Sequence, residues 1–196
     1  MEMKGFDLGR VDLHLLDVDP ERANAHASSG GPDLYRVLKA LKIPSGSRII
    51  DFGSGKGGAA LTMADFPFGQ IVGIELSKEL IKIAEKNCEM AGIRFARFVQ
   101  ADAAEYTDLD IFEYVYLFNP FPWNVLEAVC ANLAASLARR DRKLTLIYKN
   151  PIYHHELMAT GLFKVDRDFK FDPAKHEWNR FRIYVHEMQN PEKPKI

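Results

Sequence analysis

The segment Ile49-Ile50-Asp51-Phe52-Gly53-Ser54-Gly55-Lys56-Gly57-Gly58 sets the strongest limit on what this chain can become. A short apolar run enters it, glycines crowd its middle, and helix-forming residues follow to about Ala64. That is the pattern of a strand, a tight turn and a helix. Glycines in such a turn tolerate positive φ and let a ligand approach bare backbone. The helix start behind them offers unpaired N–H groups and a partial positive charge.

The same alternation continues downstream. Strand-like runs occur at 48–52, 70–75, 94–100, 114–118 and 143–148, and the unbroken apolarity of Tyr114-Val115-Tyr116-Leu117-Phe118 suits a central parallel strand covered on both faces. Between them, Leu80, Ala84, Cys88 and Ala91, then Leu126, Val129, Cys130, Leu133 and Leu137, recur at helical spacing, with Ser77 placed to cap the first of these helices. Ahead of the first strand, Pro32 opens a helix whose Leu34, Val37, Leu38 and Leu41 form one apolar face. A short helix near 154–160 precedes two alternating runs, 162–171 and 178–187, joined by Asp172-Pro173-Ala174. So short a link forces those two strands to pair antiparallel. The sum is five strand–helix units and a C-terminal hairpin: an α/β three-layer sandwich, Rossmann-like, with a seven-stranded mixed sheet.

At 196 residues the chain accommodates one well-packed domain, expected over 32–190. Residues 1–31 read as an N-terminal arm or lid outside the central core, Ser28-Ser29-Gly30-Gly31 as a flexible joint, and 191–196 as a frayed tail. Lys+Arg (26) and Asp+Glu (27) nearly cancel, which speaks against general nucleic-acid binding while leaving room for a local basic patch. No apolar run reaches membrane-span length and no secretory signal opens the chain, so no membrane association and a cytoplasmic location are expected. Cys88 and Cys130 form no CxxC pair and read as core residues. His154-His155-Glu156 lacks metal-ligand spacing, so no metal site is expected.

The expected chemistry sits on three carboxylates. Asp51 precedes the glycine turn, Glu75 ends the second strand, and Asp102 follows the third, all at carboxyl ends of neighbouring parallel strands, where ligands bind in such sheets. An acid at the position of Glu75 can accept hydrogen bonds from both hydroxyls of an adenosine ribose. The GxGxG spacing and the carboxylate beside it suit a ligand carrying a cationic amine better than a dinucleotide pyrophosphate, which disfavours an oxidoreductase.

Asp51-Phe52-Gly53-Ser54-Gly55-Lys56-Gly57, Gly73-Ile74-Glu75 and Ala101-Asp102-Ala103 resemble the first three motifs of class I S-adenosylmethionine (SAM)-dependent methyltransferases. The resemblance extends over roughly 32–187. It implies SAM as cofactor and S-adenosylhomocysteine as product. It also implies that Asp51 and the backbone of Gly53, Ser54 and Gly55 hold the methionine amine and carboxylate, Glu75 the ribose diol, Leu76 the adenine face, and Asp102 with Ala103 the adenine amine. Phe118-Asn119-Pro120-Phe121-Pro122-Trp123 is similar to the Asn-Pro-Pro-aromatic signature of amine and amide methyltransferases, in which the asparagine and a backbone carbonyl hold the target nitrogen. Phe121 replaces the second proline, which turns the comparison from nucleic-acid adenine or glutamine toward the seven-strand, non-SET protein-lysine methyltransferases. The implied catalytic residues are Asn119, Pro120 and Phe121, with Tyr35, Trp123 and Tyr153 as candidate walls for a protein or small-molecule acceptor. A small-molecule O- or N-methyltransferase, or a SAM-binding protein without catalysis, would carry the same cofactor motifs.

Overall fold

The computed structural model describes residues 5–12, 14, 16, 18–19, 21–23, 29–171 and 180–189. Five parallel strands, β1 (Ser47–Phe52), β2 (Phe68–Glu75), β3 (Ala96–Gln100), β4 (Tyr114–Leu117) and β5 (Leu144–Lys149), are followed by β6 (Lys164–Lys170) and β7 (Arg180–His186). The helices are α1 (Pro32–Leu41), α2 (Gly58–Met63), α3 (Lys78–Met90), α4 (Trp123–Arg139) and α5 (His154–Ala159). The strand order is β3-β2-β1-β4-β5-β7-β6, with β7 antiparallel to both β5 and β6. The expected seven-stranded mixed sheet with its terminal hairpin is therefore present. The turn Asp172-Pro173-Ala174 and the tail 191–196 lie outside the described residues.

Side-chain alternation along each strand divides the core in two. Ile50 and Phe52 of β1 face Val125, Val129 and Leu133 of α4 in one cluster. Ile49 faces the other way, into a cluster with Leu34, Val37 and Leu38 of α1 and Leu61 of α2. Cys88 and Cys130 are buried, one in each layer. Ser77 caps α3 by accepting a hydrogen bond from the Leu80 N–H, as its position suggests.

Two expectations change. The connection 101–113, counted as another strand–helix unit, carries no helix. Its polar side chains bond locally instead, as where Asp102 Oδ1 accepts from Ala104 N. The buried Arg142 guanidinium donates to the carbonyls of Leu109 and Phe112, satisfying backbone that a helix would otherwise have paired. The arm is also less detached than its composition suggests. Phe6 and Leu8 pack against the α1-side core, and the described part of the joint is tied down: Tyr116 Oη donates to Ser29 O, and Gly31 N donates to Thr62 Oγ1.

From β1 the chain steps outward to β2 and β3, then returns to place β4 on the other side of β1. The connections after β1 and β4 therefore diverge. This switch point opens a crevice beyond the carboxyl ends of the two strands.

Candidate active site

That crevice spans about 740 Å³ when its opening to solvent is included. Its floor and walls come from Gly53 and Ser54 after β1, Glu75 and Leu76 after β2, Ala103 after β3, and Asn119, Pro120 and Phe121 after β4. All are residues that the sequence motifs nominate, and the fold gathers them around one space. Gly53 sits at φ +74, and a Cβ there would overlap Pro120 Cβ, so the glycine lets the first turn and the Asn-Pro loop meet. Gly53 N and Ser54 N both donate to Ile74 O, at 2.8 and 3.1 Å, fastening the turn to β2.

Glu75 is held from two sides. Its Oε2 accepts from Gly55 N at 2.9 Å and its Oε1 from Ser77 N at 3.0 Å. Each oxygen keeps a lone pair for a further donor. Burial nevertheless raises its pKa, outweighing those backbone bonds.

Asp51 is only 3% exposed and, among the described residues, its carboxyl has no hydrogen-bond partner. Desolvation first, and the nearby Glu75 charge second, push its pKa up to about 8. A buried carboxyl in that condition lacks a cation. The α-ammonium of SAM is the group that would supply one, so the residues present fit the cofactor that the sequence motifs imply. Ser54 Oγ, buried and without a partner among the described residues, adds a second polar group in want of a ligand. Among the described residues, no group of three or more His, Cys, Asp or Glu side chains is arranged to hold a metal.

The remaining candidates divide. Trp123 and Tyr153 pair with ring centroids 5.8 Å apart and share the hydrophobic cluster of Phe121, outside the crevice lining. Tyr35 does not join them. It packs on Phe66, centroids 5.0 Å apart, in a separate groove with Pro32, Arg36 and Thr62. One residue on from Leu34, it lies about 100° round α1 from the buried face.

Several site residues escape the sequence reading. Leu16, Val18, Arg22 and Ala23 of the arm lie across the crevice. Arg22 Nε donates to Asp102 Oδ2 at 2.8 Å and the guanidinium Nη2 adds a second bond to the same oxygen. Lys56, inside the glycine turn, points away from any ligand role: its Nζ is 2.6 Å from Asp7 Oδ1, and Asn87 Nδ2 bridges Asp7 O and Lys56 O, anchoring the start of the arm. An arm without periodicity gives no signal for such distant contacts.

A seven-stranded sheet in this order, with β7 inserted antiparallel and a glycine turn facing an acid at the end of β2, defines the class I SAM-dependent methyltransferase fold. The family described as "Methyltransferase domain" matches residues 49–140. Over those residues the chain is similar to that family, and its fold is the one that SAM-dependent methyltransferases of this seven-strand class share.

Solved structures of similar fold include the YcgJ protein of Bacillus subtilis, at 13% identity and TM-score 0.59, covering 80% of this chain and 98% of that one. Magnesium protoporphyrin IX methyltransferase of Synechocystis, with bound SAM, is 18% identical at TM-score 0.58, covering 79% and 76%. The putative methyltransferase yhhF of Escherichia coli is 15% identical at TM-score 0.63, covering 92% and 100%. No curated protein matches the chain. No helix among the described residues is long and apolar enough to cross a membrane.

Proposed function

We propose that the chain transfers the methyl group of SAM to an amine nitrogen, with a protein lysine side chain as the most concrete acceptor. The observation that carries this reading is the loop after β4. Asn119 stands at φ +42, beside the Gly53 turn, and both it and Pro120 line the crevice. SAM brings a methyl group already activated on a sulfonium, so the protein's tasks are to align a lone pair with it and to exclude water. Amide and carbonyl oxygens suit that task for an amine, since they accept its N–H bonds and leave its lone pair directed elsewhere. Phe121 would wall the acceptor side, with Trp123 and Tyr153 packed behind it.

On the cofactor side, Asp51 takes the α-ammonium and the Gly53–Gly55 backbone the carboxylate. Glu75 takes the ribose hydroxyls through its remaining lone pairs. Leu76 packs on adenine, and Asp102 with Ala103 faces the adenine amine. A small-molecule amine or hydroxyl is the second reading, favoured by the cover that Leu16, Val18 and Ala23 lay across the crevice. Incubating the protein with methyl-labelled SAM and a cell extract, then sorting label into protein, nucleic acid and small molecules, tests both. Label on lysine supports the first reading. Label confined to nucleic acid or to hydroxyl groups overturns it.

The arm acts in this reading as a lid latched by Arg22 on Asp102. Arg22→Ala is expected to speed SAM release about tenfold, because a charge-assisted bond of about 1.4 kcal/mol is lost while the approach route is unchanged. Stopped-flow dissociation measures this, and an unaltered release rate would remove the latch from the account.

A further inference from the structure

A positively charged face of the sheet lies beside the acceptor side, outside the crevice. Alternation along the hairpin puts Arg180, Arg182 and Tyr184 of β7 on one face, with Asp168 and Lys170 of β6 next to them. It is the face that α4 and α5 cover. Tyr184 shares the hydrophobic cluster of Phe121, Trp123 and Tyr153, and its Oη lies 3.0 Å from Nδ1 of His154, at the start of α5.

The ladder fixes the height of this face along the strands. Tyr148 pairs with Arg182, and Asn150 N donates to Arg180 O at 2.8 Å, so Arg180 stands level with the carboxyl end of β5. The crevice opens beyond the same end of β4, and β7 is two strands from β4, β6 three. At about 4.8 Å per strand, Arg180 and Lys170 are roughly 10 and 14 Å from the line of β4.

Charge on the face is out of balance. The Asp168 carboxylate is taken by Arg182, whose Nε and Nη2 donate to its two oxygens at 2.6 and 2.7 Å. That bond first, and the charges of Arg182, Arg180 and Lys170 after it, hold Asp168 below the usual carboxylate range. One carboxylate thus faces three fixed cations. Lys170 and Arg180 sit directly opposite each other in the ladder, a like-charge pairing that costs stability. Among the described residues, neither of these two side chains has a hydrogen bond or an ion pair.

We infer that this face docks a carboxylate-bearing segment of a protein acceptor, with Asp or Glu three or four residues from the target lysine. This rests on the amine reading above and narrows it. Extended peptide advances about 3.3 Å per residue, so three or four residues span the distance from the line of β4 to Arg180 and Lys170. A carboxylate set between the two cations would relieve their repulsion, and complementary charge of this kind selects among partners. A nucleic-acid strand would need positive charge along its whole path. Here Arg182 is already paired, and Asp166 and Asp168 interrupt β6, which leaves room for one or two carboxylates.

The full chain is assayed with methyl-labelled SAM on peptides holding one lysine in a Gly-Ser background. Glu, Gln or Arg is placed three and four residues away on both sides. Fluorescence anisotropy measures binding of the same peptides, and of oligouridylate, to protein saturated with S-adenosylhomocysteine. The Glu peptide should bind about fivefold tighter than the Gln peptide and show a correspondingly lower KM, with kcat little changed, as expected for exposed ion pairs. Lys170→Gln/Arg180→Gln should remove that preference, and Lys170→Glu/Arg180→Glu should transfer it to the Arg peptide, a reversal that a merely structural role would not produce. The unfolding midpoint is followed alongside to show that both variants fold.

Equal binding of the Glu and Gln peptides, or a preference that survives charge reversal, would overturn the inference; label on lysines of extract protein would then leave the amine reading standing. Oligouridylate binding tighter than the Glu peptide and lost in the same variants would assign the face to nucleic acid and overturn the inference as well. Wild-type protein that labels no lysine in peptide or extract would remove both.

Discussion

Asp51→Asn is expected to weaken SAM binding about a hundredfold at pH 8 and to abolish the pH dependence of binding. The free protein holds Asp51 at a pKa of about 8, chiefly because the carboxyl is desolvated. An ammonium placed against it reverses the balance, since an adjacent opposite charge favours the ionised form. Below pH 8, binding must therefore expel a proton, and affinity should rise with pH by up to about tenfold per unit before levelling near 8. A charge-assisted bond of this kind contributes about 2 to 3 kcal/mol, which sets the expected loss.

Stability of the free protein runs the other way. The folded pKa lies above the unfolded value, so the native state holds more protons, and the contribution present below about pH 4 is lost as pH rises through about 8. The asparagine variant should consequently be the more stable free protein at pH 9. Calorimetry across pH 6 to 9 with both proteins checks each part. A wild-type affinity that is flat over that range would dissociate Asp51 from the cofactor amine.

Gly53→Ala should cost more than about 2 kcal/mol of stability and remove detectable SAM binding. Two penalties combine there. The backbone is at φ +74, a conformation that costs alanine about 1 kcal/mol, and the added methyl would overlap Pro120 Cβ, forcing apart the two loops that form the crevice. Gly46→Ala provides the comparison: that residue is at φ +81, and a Cβ there would meet nothing within 4 Å, so it should show the backbone penalty alone. Chemical denaturation of the two variants isolates the overlap, and equal losses would mean that the loops do not depend on this approach.

How far these features can be read from the chain follows from the range over which each is encoded. The glycine turn, Glu75 and Asp102 each lie within a few residues of a strand end, and local spacing carries them. The 101–113 connection departs from the expected helix because its fate rests on Arg142, about thirty residues on in the chain, which supplies donors to its carbonyls. Arg22 on Asp102 is a contact across eighty residues, from a segment with no apolar period. Tyr35 lies apart from the other aromatic candidates because aromatic character says nothing of angular position on α1.

The insertion of β7 between β5 and β6 has a consequence for biosynthesis. β6 leaves the ribosome before β7 does, yet it has no place on the sheet until β7 has docked along β5. Throughout translation of the intervening stretch, the flank of β5 away from β4, whose residues are all buried in the finished protein, presents unsatisfied amides and carbonyls to its surroundings. The nascent chain is thus most open to chaperone capture, and to mispairing with a neighbour, in the interval before residues 180–186 emerge.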